Sequence, residues 1–315
     1  MCAEKRESPL DGIIPLLKPK KYTSHDCVAV MRGITGIKKI GHTGTLDPNV
    51  EGVLPICLGE ATKTIPYLQE LTKVYVADVT LGISTTTEDA DGEVVEQVDV
   101  KSLPTIEEIE RVLASFEGEI TQIPPLYSAI RVKGKRLYEY ARENIEVERP
   151  KRKVTIFSIK RIKKEMTKAN PSFRIIINCS KGTYIRTLAV DIGKKLGFPA
   201  HMSHLERIET DSFTIDEAVT FEEVEQAIAE NRIEDILFSV ERALQHMPKW
   251  FVSEAVKQRV LLGQKLPRPE EAIEAPFLVM YENELLAIYK YHEVNEDEIK
   301  PVRVFNMYKN EGETE

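Results

Sequence analysis

The stretch Gly41-His42-Thr43-Gly44-Thr45-Leu46-Asp47-Pro48 concentrates residue types that can do chemistry. Pro48 biases Asp47 away from the helical region, so its carboxylate projects from an extended or turned backbone. Gly41 and Gly44 permit tight geometry around it. Leu46, Val50, Val53, Leu54 and Ile56 draw this loop toward a core. A carboxylate held against apolar side chains needs a partner to remain ionised, and an ionised carboxylate can act as a nucleophile. The bland alternative is a surface Asp-Pro turn. A candidate partner is Arg186, near the start of a helix that Thr183 is expected to cap. The helix macrodipole disfavours a cation there by a few tenths to ~1 kcal/mol, which a buried carboxylate would offset. Residue type and position alone leave an exposed arginine equally open.

Other chemistries fit less well. Gly36-Ile-Lys-Lys-Ile-Gly41-His42-Thr43 approaches a phosphate-binding loop, but His42 stands where the phosphate-reaching lysine belongs. Pro48 and Gly52 also interrupt the helix that should follow, so no nucleotide cofactor is expected. His201-x-x-His204 with Cys179 lacks a fourth zinc ligand. Asp89-x-Asp91-Gly92 opens like a calcium loop but lacks its closing Glu, so no metal is expected either. A G-x-S-x-G nucleophile elbow is absent.

Elements that must position these residues can be read from periodicity and caps. Ser24 is expected to cap a short helix over His25–Arg32, and Gly-rich and Pro-rich residues 37–63 to form loop and short strand. Lys73–Ile83 reads as a strand closed at Gly82, with Thr85–Gly92 as polar turn. Thr105 with Glu108 forms a capping box ahead of Ile109, Val112, Leu113 and Phe116. Strands follow at Val154–Ile162 and Phe173–Cys179. The helix bearing Arg186 has the stripe Ile185, Leu188, Ala189, Ile192 and Leu196 and stops at Gly197. Thr220 and Glu223 box another helix. Beyond Pro248 come a helix over Ser253–Leu262 and strands at Phe277–Tyr281, Leu285–Tyr291 and Val302–Phe305. Helices and strands alternate without a βαβ rhythm, so the class is α+β.

The 315 residues, 42% apolar and 30% charged, suit a globular protein of one large and one small domain. No apolar run approaches the roughly 20 residues of a membrane span, and the N-terminal Ile13–Leu17 is too short for a signal peptide. Four scattered cysteines fit a reducing, cytoplasmic setting. The net charge of −8 conceals an asymmetry. Residues 211–315 carry 11 Lys and Arg against 23 Asp and Glu, while Arg131–Lys168 carries 14 against five. A polyanion responds to the local field. Tyr127, Tyr138 and Tyr140 lie among Arg131, Lys133, Lys135, Arg136 and Arg142, the mixture of phosphate contacts and stacking faces that looped RNA uses. A solvated charged surface is the competing reading.

Several motifs in order resemble the bacterial TruB-type tRNA pseudouridine synthases over about residues 11–245. They are Gly41–Pro48, Gly52-Val-Leu-Pro-Ile-Cys-Leu-Gly-Glu-Ala-Thr-Lys63, Lys73-Val-Tyr75 and Ser180-Lys-Gly-Thr-Tyr184-Ile-Arg186-Thr-Leu. Pro124-Pro-Leu-Tyr-Ser-Ala129, continuing to Lys133-Gly-Lys-Arg-Leu-Tyr138, resembles the family's RNA-gripping insertion. The resemblance implies a pseudouridine-synthase fold: a mixed, largely antiparallel central sheet flanked by helices and loops. It implies a catalytic domain over 1–247 with the insertion at about 120–153, and a small, mostly β, PUA-like domain over 248–315. The implied activity converts uridine 55 in the tRNA T-loop to pseudouridine, with the tRNA T-arm as partner, no cofactor and a monomeric chain. Asp47 matches the nucleophile, Arg186 its partner, and Tyr75 the tyrosine against the base. Tyr184 and Leu205 match the uracil pocket and His42 a histidine that holds the opened loop, while Lys63, Lys133 and Arg136 join them as substrate contacts. The family usually has Gly where Lys21 stands, which bears on the turn there. The alternative is a tRNA-binding or tRNA-folding module without catalysis.

Overall fold

The computed structural model describes residues 10–68, 72–210 and 212–305; Cys2 lies outside them. The chain opens with β1 (Gly12–Lys18), α1 (Ser24–Thr35), β2 (Ile40–His42) and β3 (Glu51–Leu58). Thr23, one residue earlier than expected, caps α1: its hydroxyl accepts from Asp26 N while the Asp26 carboxylate accepts from Thr23 N. Ser24 is thereby free to reach elsewhere. The eight-residue β3 is longer than the short strand expected among its Gly and Pro. Gly52 belongs in this strand because a Cβ there would lie 2.2 Å from the Arg207 carbonyl oxygen.

A 3₁₀ turn (Gly59–Thr64) and α2 (Ile65–Leu68) lead to β4 (Lys73–Leu81), then to the hairpin of β5 (Ile83–Thr85) and β6 (Val94–Gln97). Next come α3 (Ile106–Ala114), with the expected capping box, and β7 (Gly118–Gln122). The insertion carries β8 (Arg131–Val132), β9 (Lys135–Arg136) and α4 (Leu137–Arg142) before the chain returns as β10 (Arg152–Ile162). Gln122 pairs with Arg152, so the inserted segment is 123–151, slightly inside the expected bounds. After β11 (Ser172–Cys179), α5 (Ile185–Leu196) starts at Tyr184, not Thr183. The Thr183 hydroxyl instead donates to the Ser180 carbonyl, and the Gln122 side chain bonds both the N–H and the C=O of Tyr184. Gly197 ends α5 in the left-handed region, where glycine is favoured.

The chain continues through β12 (Ala200–Thr210), β13 (Phe213–Thr214), α6 (Phe221–Ala229) and α7 (Val240–Ala243). The main sheet runs β1-β3-β12-β4-β11-β10-β7, with β2 on β3 and β13 on β12. Its pairings are antiparallel except β3 with β12, where Gly52 faces Arg207. Ile185, Leu188, Ala189 and Ile192 of α5 pack with α3 and residues such as Val79, Phe173 and Ile175 of the sheet. Each such aliphatic side chain contributes ~1.5–3 kcal/mol by burial. That packing is what fixes α5, and so Arg186, over β4 and β12.

The remaining elements are β14 (Lys249–Phe251), α8 (Glu254–Leu261), β15 (Leu266–Pro267), β16 (Phe277–Tyr281), β17 (Glu284–Tyr291) and β18 (Glu298–Val304), the last starting earlier than expected. Their sheet runs β14-β16-β17-β18-β15. It is seated on the main body through one shared apolar cluster that includes Val53, Phe213, Leu244, Leu278, Leu285 and Phe305. Among the described residues no helix is long and apolar enough to cross a membrane.

Candidate active site

The Asp47 loop is held by side chains that look, in sequence, like surface charges. Lys18 is fully buried, and its ammonium donates to the carbonyls of Pro19, Pro48 and Val50 at 3.0, 3.0 and 2.8 Å. Burial pushes its pKa down. Arg207, also fully buried, donates from Nε to the Val53 carbonyl at 2.9 Å and from Nη2 to that of Gly44 at 2.8 Å. Ser24 Oγ accepts from Leu46 N at 2.9 Å and donates to Leu46 O. Three tethers therefore fix the backbone on both sides of Asp47. Leu46, Val50, Val53, Leu54 and Ile56 are buried as expected. Asp47 itself is not sequestered: its side chain is 48% exposed and opens into a cleft.

Arg186 is the buried member of the pair, its side chain only 6% exposed. Its Nη2 lies 2.9 Å from Asp47 Oδ2, and its Nη1 lies 3.6 Å from Asp89 Oδ2. The same two nitrogens donate to the Tyr127 and Thr87 carbonyls, each at 3.0 Å. A cation at the second residue of a helix is disfavoured by the dipole, and burial adds a larger desolvation cost. Two carboxylates and two carbonyls offset both. Asp89, in sequence only part of a calcium-loop fragment, is held by the Thr87 hydroxyl and the Asp91 N–H. The planar guanidinium thus ties together β3's leading loop, the turn after β5, and the insertion.

Beside this pair lies a depression of about 100 Å³ whose walls include Asp47, Tyr75, Tyr184, Arg186 and Leu205, room for a single six-membered ring. It adjoins a cleft of about 550 Å³ that shares Asp47, Val50, Arg186 and Leu205 and adds Lys20, Lys21, Asp89 and Tyr127. Tyr75 is buried, and burial raises the pKa of its hydroxyl, so it remains a neutral donor at ordinary pH. Burial raises that of Tyr184 likewise. Cys179, beneath, is pushed up to about 11 by burial, which makes it an inert packing thiol.

Five of the sequence-selected residues therefore converge: Asp47, Tyr75, Tyr184, Arg186 and Leu205. The others do not line these cavities. His42 sits in β2 opposite Ile56, its Nδ1 buried without a hydrogen-bond partner. Burial and the Arg207 charge push its pKa down, so it is neutral at pH 7. Lys63, expected to touch substrate, is ion-paired with Glu60 and donates to the Val304 carbonyl at 2.6 Å, tying the 3₁₀ turn to β18. Lys133 and Arg136 are exposed on the β8–β9 hairpin, whose Lys133-Gly134 turn has positive φ at both residues. The expected row of stacking tyrosines is divided. Tyr138 lies between Arg136 and Arg142, and Tyr140 donates to the Val132 carbonyl, leaving Tyr127 at the cleft.

This fold and site have known counterparts. A Cbf5–Nop10–Gar1 complex contains a chain of similar structure, with TM-score 0.70 and 28% identity over 90% of this chain and 78% of that one. A chain in an H/ACA RNP bound to a substrate RNA containing 2′-deoxyuridine gives TM-score 0.71 and 26% identity, covering 94% and 85%. The architecture is that of a pseudouridine synthase. Residues 32–185 match the model for the TruB family pseudouridylate synthase N-terminal domain, and 186–245 that for the tRNA pseudouridylate synthase B C-terminal domain. A protein of Oceanobacillus iheyensis named tRNA pseudouridine synthase B is 52% identical over 94% of this chain and 98% of its own length. One of the same name from Bacillus licheniformis is 53% identical over 82% and 84%. The chain belongs to the TruB family of pseudouridylate synthases.

Proposed function

We infer that the protein isomerises uridine to pseudouridine in tRNA, that its target is uridine 55 in the T-loop, and that Asp47 is the nucleophile. The observation that carries the reading is the Arg186–Asp47 contact of 2.9 Å at the mouth of a ring-sized depression. The reaction breaks the N1–C1′ bond, turns the uracil in place and joins C5 to C1′; the C5 proton is released to solvent and N1 takes one up, so the product is an isomer. No electron or group comes from a second molecule, so no cofactor takes part. Asp47 acts at the sugar, either by attack at C1′ or by starting elimination to a glycal. Arg186 holds the carboxylate in position, and its rigid set of partners means that little reorganisation is needed on reaction. Tyr75 supports the uracil face and offers a protonated hydroxyl; Tyr184 and Leu205 bound the space in which the base turns.

A uridine inside a folded T-loop must leave its stack, at a cost of a few kcal/mol. Lys133, Arg136 and their neighbours on the insertion supply backbone contacts that offset this cost. His42 is neutral and half-buried, so what it presents to the opened loop is an uncharged ring. Residues 1–247 form the catalytic domain and 248–315 a PUA-like one, in a cytoplasmic monomer. Incubation of a tRNA transcript carrying [5-³H]uridine with the protein should release tritium at one site. Asp47→Asn should bind the transcript and release none. Release by that variant would overturn the assignment of the nucleophile; binding without release by the unaltered protein would favour a folding module instead.

A further inference from the structure

The turn between β1 and α1 places two lysines on the wall of the larger cleft, and they differ in what they can still bind. Lys20 is ion-paired with Glu51 at 3.2 Å. Lys21 is exposed and has no ion-pair or hydrogen-bond partner. The other charged side chains on that wall are committed: Arg186 to Asp47 and Asp89, and Asp91 to the Asn49 amide at 2.6 Å. Among the described residues lining the cleft, Lys21 is thus the free cation. Its backbone is also unusual, with φ +69°, a left-handed conformation that costs a side-chain-bearing residue stability and that glycine would adopt without strain. The left-handed turn directs a charged side chain into a cleft whose exposed carboxylate, Asp47, must approach the sugar of a polyanion.

We propose that Lys21 binds a backbone phosphate flanking the everted nucleotide, and so is a substrate-positioning residue of this cleft. This rests on the reading of the site as one that takes an everted tRNA uridine. With C1′ beside Asp47, the phosphates on either side of that sugar run along the cleft wall, and an acidic wall without a free cation would repel them. An ammonium on a flexible stem suits this role because it meets a phosphate as a point charge. The cation acts on ground state and transition state alike, so its loss should appear in binding and leave the chemical step intact.

The test measures tritium release and tRNA affinity across salt for the unaltered protein, Lys21→Gln and Lys21→Arg. Lys21→Gln keeps a side chain in the strained turn and removes only the charge. It should raise KM about fivefold with kcat near the original, the effect of one exposed ionic contact. Its log–log salt slope should fall by about 0.7–0.9, the value for one phosphate. Lys21→Arg should restore both. An unchanged KM and slope in Lys21→Gln, or a loss confined to kcat, would overturn the proposal while the activity of the unaltered protein stands. Absence of release by the unaltered protein would instead remove the underlying reading.

Discussion

The floor of the cleft and the inserted segment 123–151 are both rich in cations, yet they use them in opposite ways. On the floor, Lys18, Arg186 and Arg207 are buried and saturated, mostly by main-chain carbonyls. In the insertion, Lys133, Lys135 and Arg136 are exposed; Lys135 pairs with Glu143 and Arg136 rests against Tyr138, both side chains of the insertion itself. A buried cation bonded to carbonyls fixes backbone and is poorly screened by salt; an exposed one is mobile, screened and available to a polyanion. On the proposed reading, the floor serves position and the insertion attraction. Substitutions in the first should act on chemistry and folding, and those in the second on affinity.

Arg186→Gln should show the largest effect. It leaves Asp89 partly buried without its cation, frees two carbonyls and releases Asp47 from its orientation. Breaking a fully buried pair from one side costs roughly 3–5 kcal/mol, but Asp47 is half-exposed and water takes up part of that loss. With what remains felt mainly at the proposed nucleophile, kcat/KM for tRNA falls by about 10²-fold. A nearly unchanged rate would erase the distinction between floor and insertion, because the floor's cation would then be only scaffolding.

Gly52→Ala comes next and probes folding without touching a reacting group. Its φ of +123° is accessible to glycine, and the new Cβ would lie 2.2 Å from the Arg207 carbonyl oxygen. Either β3 and β12 separate at their parallel contact or Arg207 shifts off Gly44 and Val53. A loss of about 3 kcal/mol or more is expected in urea unfolding. A midpoint close to that of the original protein would mean that the two strands can slide apart freely and that the tethering of the Asp47 loop is softer than its bonds suggest.

How far these features could be read beforehand depends on the range of the interactions behind them. Capping boxes at Thr105–Glu108 and Thr220–Glu223, the left-handed stop at Gly197 and the β4 strand are local, and sequence order displays them directly. The Asp47–Arg186 pair was legible for another reason: the electrostatic need of a carboxylate before proline and a cation at a helix start left it open, and the order of motifs around both residues made the pairing an expectation. Lys18 and Arg207 carried no such mark. Apart from the neighbouring Pro19 carbonyl, their partners lie 30 and 32 residues away in one case and 154 and 163 in the other, and in strand sequence they resemble solvent-facing charges. Thr23 and Ser24 were interchanged because either hydroxyl can cap; Leu46, 22 residues later, decides which one does. The length of β3 was hidden by Gly52 and Pro55, which usually break strands. Here Pro55 faces Pro15 on β1 and Gly52 makes room for Arg207. The Lys63 bond was hidden for a similar reason, since its carbonyl partner belongs to the C-terminal sheet, 241 residues away.

The smallest effect should come from the insertion, and its internal order sharpens the comparison. Replacing Lys133, Lys135 and Arg136 together should shallow the salt dependence of tRNA binding while leaving kcat at saturation unchanged. The three should not count equally. Lys135 holds the Glu143 carboxylate at 2.8 Å, so a phosphate must displace an existing anion to reach it. Arg136 rests against Tyr138, at 5.8 Å from the ring centroid, and donates from Nη1 to its hydroxyl at 3.2 Å, neutral contacts that a phosphate can outcompete. Lys133 stands at the hairpin tip in a left-handed turn. Each full phosphate contact contributes roughly 0.7–0.9 to the slope, so the triple variant should lose nearer two such increments than three. The single variants should rank Lys133 first, Arg136 second and Lys135 last. An unchanged slope in the triple variant would place the insertion outside the RNA interface, and the floor, with Lys21 at its edge, would have to provide the attraction as well as the position.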